Sequence, residues 1–161
     1  MKKSLLLALT FIIFSGIYSG LKAQSESITF INESGNSSSI DPMKLKSKTI
    51  KAIGHDLKTH EYSGPLLSDF LSYAGVILGE PAKKQTVSGY ITIRARDNYK
   101  CVFALAELDP LFSSSSIIIA GKMDGKALSE NNGPYQIIAP SDKKHGRWIR
   151  QVRSIELHTV K

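Results

Sequence analysis

The chain has little of what marks the commonest small exported proteins and enzymes. Its single cysteine, Cys101, cannot form an internal disulfide bond, so stability must come from burial of apolar side chains. No internal repeat is present, and the sequence contains no GxSxG, Walker or glycine-rich dinucleotide pattern. The histidines are scattered, and no catalytic triad can be assembled from them. These absences exclude a disulfide-stapled domain and the motif-bearing hydrolases and nucleotide-binding enzymes.

Long apolar runs are also scarce, and the longest one lies near the start of the chain. Residues 5–14 form an apolar region of about ten residues, well short of the roughly 20 that a membrane-spanning helix needs. Lys2 and Lys3 precede this region, and Ala23 supplies a small residue for cleavage. We therefore predict that residues 1–23 are a signal peptide, with an uncleaved anchor as the alternative. The mature chain is expected to be periplasmic or secreted, with no membrane span after cleavage.

The remaining length and charge fit one mildly basic domain. About 138 residues follow the leader, enough for a single domain with a sizeable core. The leader carries three lysines and no acidic residue, so its removal lowers the formal net charge from +7 to +4. A weakly basic exported domain is not expected to bind nucleic acid. Residues 24–41 are predicted to be a polar N-terminal segment, and residues 42–161 the domain proper.

The N-terminal segment and the first helix have distinct patterns. Ile28, Phe30 and Ile31 indicate a short strand, followed by a loose polar stretch at residues 32–39. Gly64-Pro65 is predicted to begin the clearest helix, with proline at the first helical position. Its apolar stripe at helical spacing consists of Leu66, Leu67, Phe70, Leu71 and Ala74, and Gly75 is expected to end the helix.

Beyond this helix the pattern favours strands. Alternation predicts strands at residues 87–94 and 99–103, joined by a turn at Asp97-Asn98. A single helical turn is expected at residues 104–109, stopped by Pro110. Further strands are predicted at residues 117–120, 135–139 and 147–158, with a turn at Asp124-Gly125. The fold class is therefore α+β, with a mixed β-sheet and one clear helix.

Five segments between Gly64 and Leu157 follow one another in a recognisable order. They are GPLLSDFLSYAGV, RDNYKCVFALAELDP, MDGKAL, NNGPYQIIAP and KKHGRWIRQVRSIEL. In this order they resemble the molybdopterin-binding oxidoreductase domain, which has the sulfite-oxidase-type fold. The resemblance implies that fold and, as cofactor, molybdopterin or a related pterin.

The metal ligand of the resembled family is missing from this sequence. Enzymes of that family hold molybdenum through a cysteine thiolate, a soft ligand suited to the metal, and this cysteine precedes the helix at Gly64. The corresponding stretch here, residues 50–60, contains none and is interpreted as a solvated loop. Cys101 alternates with Tyr99 and Phe103 and is interpreted as a core residue. We predict no metal site, and the sequence leaves open whether the chain is an enzyme.

Candidate cofactor-binding residues follow from the resemblance. Basic residues near the end of family members hold the pterin phosphate, and Arg147 and Arg150 align with those positions, with Lys144 beside them. Arginine suits this role because its planar fork can bind a phosphate through two hydrogen bonds. Gly133 belongs to a segment that approaches the cofactor in the family, and Gln136 stands where an arginine is common. The alternatives are a basic edge strand with solvated arginines and a turn leading into a core strand.

Three functional hypotheses remain from the sequence. The first is an exported domain that has lost molybdenum chemistry and binds a small anionic ligand, such as a pterin phosphate, or an envelope protein partner. The second is an active molybdopterin-dependent oxidoreductase with a non-cysteine metal ligand. The third is a structural interaction module with no small ligand.

Overall fold

A computed structural model describes residues 26–80 and 83–160, and the predicted signal peptide lies outside these residues. Eleven strands are present in this part of the chain. In chain order they are β1 (Ile28–Ile31), β2 (Ser37–Ile40), β3 (Lys48–Ile53), β4 (Thr59–Gly64), β5 (Gly89–Ala95), β6 (Lys100–Ala104), β7 (Ile118–Ala120), β8 (Lys122–Met123), β9 (Lys126–Ala127), β10 (Gln136–Ile138) and β11 (Val152–Thr159).

The largest sheet has five strands in the order β2-β1-β11-β5-β6. Its strand pairs are antiparallel except for β1 and β11, which are parallel, so the sheet is mixed as predicted. Ile91 and Ile93 on β5 and Ile155 on β11 are fully buried, because alternate side chains of these strands face one core. This core sits on the face covered by the helices and the smaller sheets.

The polar N-terminal segment is part of this sheet. Ile28 and Phe30 of β1 are buried, and Phe30 lies opposite Ile155 in the parallel ladder. The stretch at residues 32–39 was predicted to be loose. That prediction is wrong for its second half, because Ser37–Ile40 pairs with β1 as an edge strand. Serines on an exposed edge give no apolar alternation, so the sequence carried no signal for this strand.

Three α-helices are present in the described part of the chain: α1 (Leu67–Tyr73), α2 (Lys83–Ser88) and α3 (Leu105–Leu108). None of the helices in residues 26–80 and 83–160 is long and apolar enough to cross a membrane. Helix α1 is the predicted helix, but it begins two residues later than expected. Gly64 is the last residue of β4, and Pro65 is a buried residue between β4 and α1. The Ile119 N–H donates to the Pro65 carbonyl at 2.9 Å, so Pro65 pairs with β7 and is not part of the helix. The predicted turn at residues 104–109 is confirmed as α3.

The predicted strand at residues 87–94 is wrong at its start, where helix α2 is found instead. Residues 83–88 are helical, and the strand begins only at Gly89. The helix has fewer than two turns, which is too short for a 3.6-residue apolar period to emerge from the sequence. The turn at Asp97-Asn98 is confirmed, with Asn98 at a φ of 68°.

Two smaller sheets complete the domain. One has the order β3-β4-β8-β9 and the other pairs β10 with β7. They meet at Gly64, where an added Cβ would lie 1.9 Å from the Ile119 carbonyl oxygen. Only glycine allows the two backbones to approach this closely. The expected turn at Asp124-Gly125 joins β8 to β9, and both residues have positive φ.

The expected strand at residues 147–158 is wrong in its first part. His145–Arg147 form a 3-10 helix, and the strand begins at Val152. Gln151 has a φ of 50°, which interrupts extended geometry just before the strand. Trp148 and Ile149 between them are buried, and the Ile137 N–H bonds the Ile149 carbonyl at 2.9 Å. This irregular segment fills the space between β10 and the five-stranded sheet.

Candidate functional site

A cleft of about 430 Å³ opens over the irregular segment that follows the 3-10 helix. Four parts of the chain form it: the β3–β4 turn, the β5–β6 turn, the loop before β10 and residues 145–151. The lining side chains are both aromatic and charged. They include His55, Asp97, Tyr99, His145, Trp148 and Arg150.

Three aromatic rings in contact, at tilted and edge-to-face angles, form one wall of this cleft. Trp148 is 3% exposed, and its indole Nε1–H donates to the Ala139 carbonyl at 2.8 Å. The His145 ring lies 4.1 Å from the Trp148 ring, and the His55 ring lies 4.5 Å from that of His145. The buried indole therefore has a fixed position and supports two imidazoles at the mouth of the cleft. Such a wall can contact the face of a planar ligand.

Arg150 supplies positive charge at the same place. Its side chain is exposed and lines both this cleft and a smaller one of about 220 Å³, and His55 also borders both. Among residues 26–80 and 83–160, no carboxylate forms an ion pair with Arg150. Burial and the nearby positive charges of His145 and Arg150 lower the pKa of His55. The lowered pKa favours the neutral form of His55, so Arg150 is the group here that would attract an anion.

Arg147, three residues earlier, has a different environment from the one expected. Its Nε and Nη2 donate to Asp142 at 2.9 and 2.6 Å, and its Nη1 donates to Glu107 at 2.8 Å. Its guanidinium also lies 4.4 Å from the centre of the Phe103 ring. Hydrogen bonds to Asp142, and then to Glu107, raise the pKa of Arg147. All three nitrogens donate to carboxylates, so Arg147 ties the 3-10 helix to α3 and does not line the cleft.

The other predicted residues are divided between cleft and scaffold. Gln136 is buried and borders the smaller cleft, where its amide donates to the Trp148 carbonyl at 3.4 Å. Lys144 is exposed and lines neither cleft. Gly133 is buried, and an added Cβ would lie 3.2 Å from the Ser129 carbonyl oxygen. Gly133 therefore allows its own loop to close and does not present backbone to the cleft.

Of the predicted residues, Arg150 and Gln136 therefore border the clefts, and His55, His145, Trp148 and Tyr99 lie there as well. The sequence predicted no role for His145 or Trp148. Trp148 was placed on a strand, and that assumption concealed its proximity to His145. The proximity of His55 to His145 could not be found from the sequence, because about 90 residues separate them.

The donor groups at the cleft do not match a molybdenum–thiolate centre. Cys101 is buried on β6, and its Sγ lies 3.9 Å from the Arg147 carbonyl. Burial raises the pKa of this thiol to about 12, so the thiolate needed by a metal is disfavoured. Within residues 26–80 and 83–160, no cluster of three or more metal-ligating side chains could hold a metal ion. Arg150 and the aromatic rings of the cleft are the groups that fit the anionic and planar parts of a pterin phosphate.

His60 corrects the interpretation of residues 50–60 as a solvated loop. These residues form most of β3 and its turn into β4, and the His60 side chain is only 17% exposed. It lies between two carboxylates, Asp56 and Asp124.

The comparisons agree with this fold. A solved structure, the sulfane dehydrogenase SoxCD from Paracoccus pantotrophus, is similar with a TM-score of 0.64 and 16% sequence identity. The similarity covers 84% of this chain but only 38% of that one, and at this identity it shows the fold alone. No curated protein matches the chain significantly in sequence. The family described as oxidoreductase molybdopterin binding domain matches residues 18–161. The chain therefore belongs to the molybdopterin-binding oxidoreductase domain family.

Proposed function

We propose that this chain is an exported member of its family that binds a planar ligand carrying an anionic group, and that it does so without molybdenum chemistry. The observation that carries this proposal is the position of Arg150 and His55 beside the His145–Trp148 wall. The Arg150 guanidinium would hold the anion, His55 would add a hydrogen bond, and the wall would contact the ring of the ligand. A pterin phosphate has both parts.

The loss of metal chemistry is supported by the ligand set. A soft metal centre needs a thiolate, and the thiol of Cys101 is buried in the core with a raised pKa. The alternative, an active oxidoreductase with a non-cysteine ligand, predicts about one molybdenum per chain. Elemental analysis of protein purified from its native envelope distinguishes them. We expect no stoichiometric molybdenum, and one equivalent would overturn the proposal.

The binding site itself can be tested by calorimetric titration with a pterin phosphate and with pyrophosphate. Arg150→Ala should weaken binding by roughly tenfold to a hundredfold, because a hydrogen bond to a charged group contributes about 1.5–3 kcal/mol. Arg147→Ala is the matched control, since it removes the same charge three positions away at a residue already paired with carboxylates. Added salt should weaken binding, because exposed charges are screened.

The outcomes of this titration separate the hypotheses. Equal loss in both arginine variants would indicate a diffuse charge effect and not a site at the cleft. No heat from the wild type with either ligand would favour the third hypothesis, a structural interaction module with no small ligand.

Export is proposed from the leader alone. A positive start, a ten-residue apolar region and a small residue at the cut predict a mature protein that begins near Gln24. Intact-mass measurement on the protein recovered outside the cytoplasm tests this. A mass that retains residues 1–23 would contradict cleavage and support the anchor alternative.

A further inference from the structure

His60 on β4 joins two turns that are distant in sequence. Its Nδ1 lies 2.6 Å from Asp124 Oδ2, in the turn between β8 and β9. Its Nε2 lies 3.1 Å from both carboxylate oxygens of Asp56, in the turn between β3 and β4. Each carboxylate also accepts a backbone N–H, from Glu61 at 2.9 Å for Asp124 and from Lys58 at 3.1 Å for Asp56. One imidazole therefore connects three backbone segments.

Only one protonation state of the ring satisfies this geometry. An imidazolium donates from both nitrogens, whereas a neutral imidazole donates from one and presents a lone pair at the other. When His60 is neutral, one carboxylate must therefore face a lone pair. The contact to Asp124 is the shorter, and Asp124 is additionally tied to the backbone of β4. Asp56 is therefore the hydrogen-bond partner that His60 loses when it becomes neutral.

The turn on the Asp56 side is also the one under backbone strain. Leu57 has a φ of 64° and an exposed side chain, a conformation that L-residues other than glycine rarely adopt. Its closing bonds run from the Gly54 N–H to the Lys58 carbonyl at 2.8 Å and from the Leu57 N–H to the Gly54 carbonyl at 3.0 Å. His55, at the mouth of the cleft, belongs to this turn.

We propose that His60 is a proton-operated latch that holds the turn at residues 54–58 against β4 when charged and releases it from the Asp56 side when neutral. The neutral ring keeps its proton on Nδ1 and continues to donate to Asp124. The order and position of His55 at the cleft therefore follow the charge of His60. The latch itself does not depend on any ligand.

The groups around His60 set the pH range of the closed latch. Hydrogen bonds to Asp124, and then to Asp56, raise the pKa of His60 above 6.5. The backbone bond from Glu61 is the main cause that lowers the pKa of Asp124 below 3.8, and that from Lys58 does the same for Asp56.

These pKa shifts determine how the stability of the latch depends on pH. A raised histidine pKa contributes stability that is complete below 6.5 and is lost as pH rises through the raised value. Lowered carboxyl pKa values contribute stability that is complete above 3.8 and is lost as pH falls through them. The latch is closed between these limits.

The other charged or titratable neighbours of His60 are two lysines, a tyrosine, a histidine and an arginine. Lys58 faces Asp56, and Lys126 faces Asp124. The Tyr62 ring lies 6.2 Å from that of His60, and burial followed by the two carboxylates raises its pKa above 10.0. His55 lies on the same turn as Asp56, and Arg150 lines the smaller cleft together with His60. The lowered pKa of His55 means that it loses its proton before His60 as pH rises.

The test is nuclear magnetic resonance of the purified protein between about pH 4 and about pH 9, a range that spans histidine titration. Imidazole nitrogen shifts report both the charge and the tautomer of each ring. We expect His60 to titrate at higher pH than His55 and to become the Nδ1–H tautomer. Hydrogen exchange measures how often the Gly54 and Leu57 amides open, after correction for base-catalysed exchange. We expect this opening to rise about two- to fivefold as His60 loses its proton, which is the size expected for loss of an exposed ion pair.

Two variants make the mechanism specific. In Asp56→Asn the amide can accept from charged His60 and donate to neutral His60, so the step in amide opening should disappear. Asp97→Asn is the matched control, because Asp97 Oδ1 accepts the Tyr99 N–H at 2.9 Å in the same way but contacts no histidine. That control should retain the step.

An Nε2–H tautomer for neutral His60, or unchanged amide opening across its titration, would overturn the latch. A step that survives in Asp56→Asn would do the same. Should Asp56→Asn fail to fold, the tautomer of the wild-type ring still decides the question.

Discussion

Arg147 and Arg150 lie three positions apart and have opposite surroundings. Arg147 is held by Asp142 and Glu107, whereas Arg150 is exposed beside two clefts. The difference arises because the 3-10 helix and the turn at Gln151 replace the strand that the sequence predicted. Residue identity alone does not distinguish an anchor for a ligand from an anchor for the fold.

Arg147→Ala should therefore destabilise the protein. Loss of its hydrogen bonds leaves two carboxylates unpaired at a position whose side chain is 33% exposed, so we expect a loss of about 1–2 kcal/mol in the free energy of unfolding. Urea denaturation measures it. Arg150→Ala is the control and should change stability by less than about 0.5 kcal/mol. Equal stabilities for the two variants would contradict the assigned roles.

The thiol of Cys101 should be unreactive in the folded protein. Burial raises its pKa to about 12, so almost no thiolate is present at neutral pH, and the side chain is 8% exposed. We expect a thiol-specific reagent such as Ellman's reagent to label it only when urea unfolds the chain. Rapid labelling of the native state would show that Cys101 is accessible.

At the scale of elements, helix α1 depends on its C-terminal closure. The Val76 N–H bonds the Leu71 carbonyl at 2.9 Å and the Gly75 N–H bonds that of Ser72 at 3.1 Å, which is the Schellman arrangement. Gly75 has a φ of 92°, in the region that favours glycine. This closure turns the chain so that Val76 packs back onto the core.

Gly75→Ala should lower the free energy of unfolding by about 1–2 kcal/mol, because a Cβ strains this backbone conformation. No atom lies within 4 Å of the added Cβ, so the loss would come from conformation and not from a clash. Gly146→Ala is the control, since Gly146 also has open space but no positive φ. Thermal denaturation of both variants gives the comparison, and equal midpoints would exclude the strain argument.

At the scale of the whole molecule, the N-terminal segment is an inner part of the largest sheet. Strand β1 lies between β2 and β11, and its pairing with β11 joins residues that are more than 120 positions apart. Ile28 and Phe30 bury their side chains in the common core. The first and last strands of the described chain therefore pair with each other inside this sheet.

A chain that begins at residue 42 should consequently fail to fold stably. It would expose the edge of β11 and leave a gap where two large apolar side chains pack, at a cost of several kcal/mol. A chain that begins at residue 26 retains β1 and should fold cooperatively. Circular dichroism and thermal unfolding of the two chains test this, and a cooperative transition in the shorter chain would place the domain boundary at residue 42 after all.

The sequence by itself determined the features that depend on neighbouring residues. Helix α1 from the stripe at Leu67, Phe70 and Leu71, the turns at Asp97-Asn98 and Asp124-Gly125, and the core position of Cys101 all follow from local periodicity and turn chemistry. Together with the order of the family segments, these were enough for the fold class. They were not enough for element boundaries near Gly64, Gly89 and Val152, where backbone pairing between distant segments overrides local pattern.

The candidate site could be identified only from the tertiary structure, because its residues come from distant parts of the chain. The cleft brings residue 55 of the β3–β4 turn beside residues 145–151, which precede a strand of the largest sheet. The latch joins residues 56, 60 and 124, which all belong to the β3-β4-β8-β9 sheet and its hairpin turns. Contacts between such turns leave no period in the sequence. Likewise, whether an arginine is paired or available depends on which carboxylates the fold brings within hydrogen-bonding distance. For this chain that separates Arg147, bound to Asp142 and Glu107, from Arg150 at the cleft.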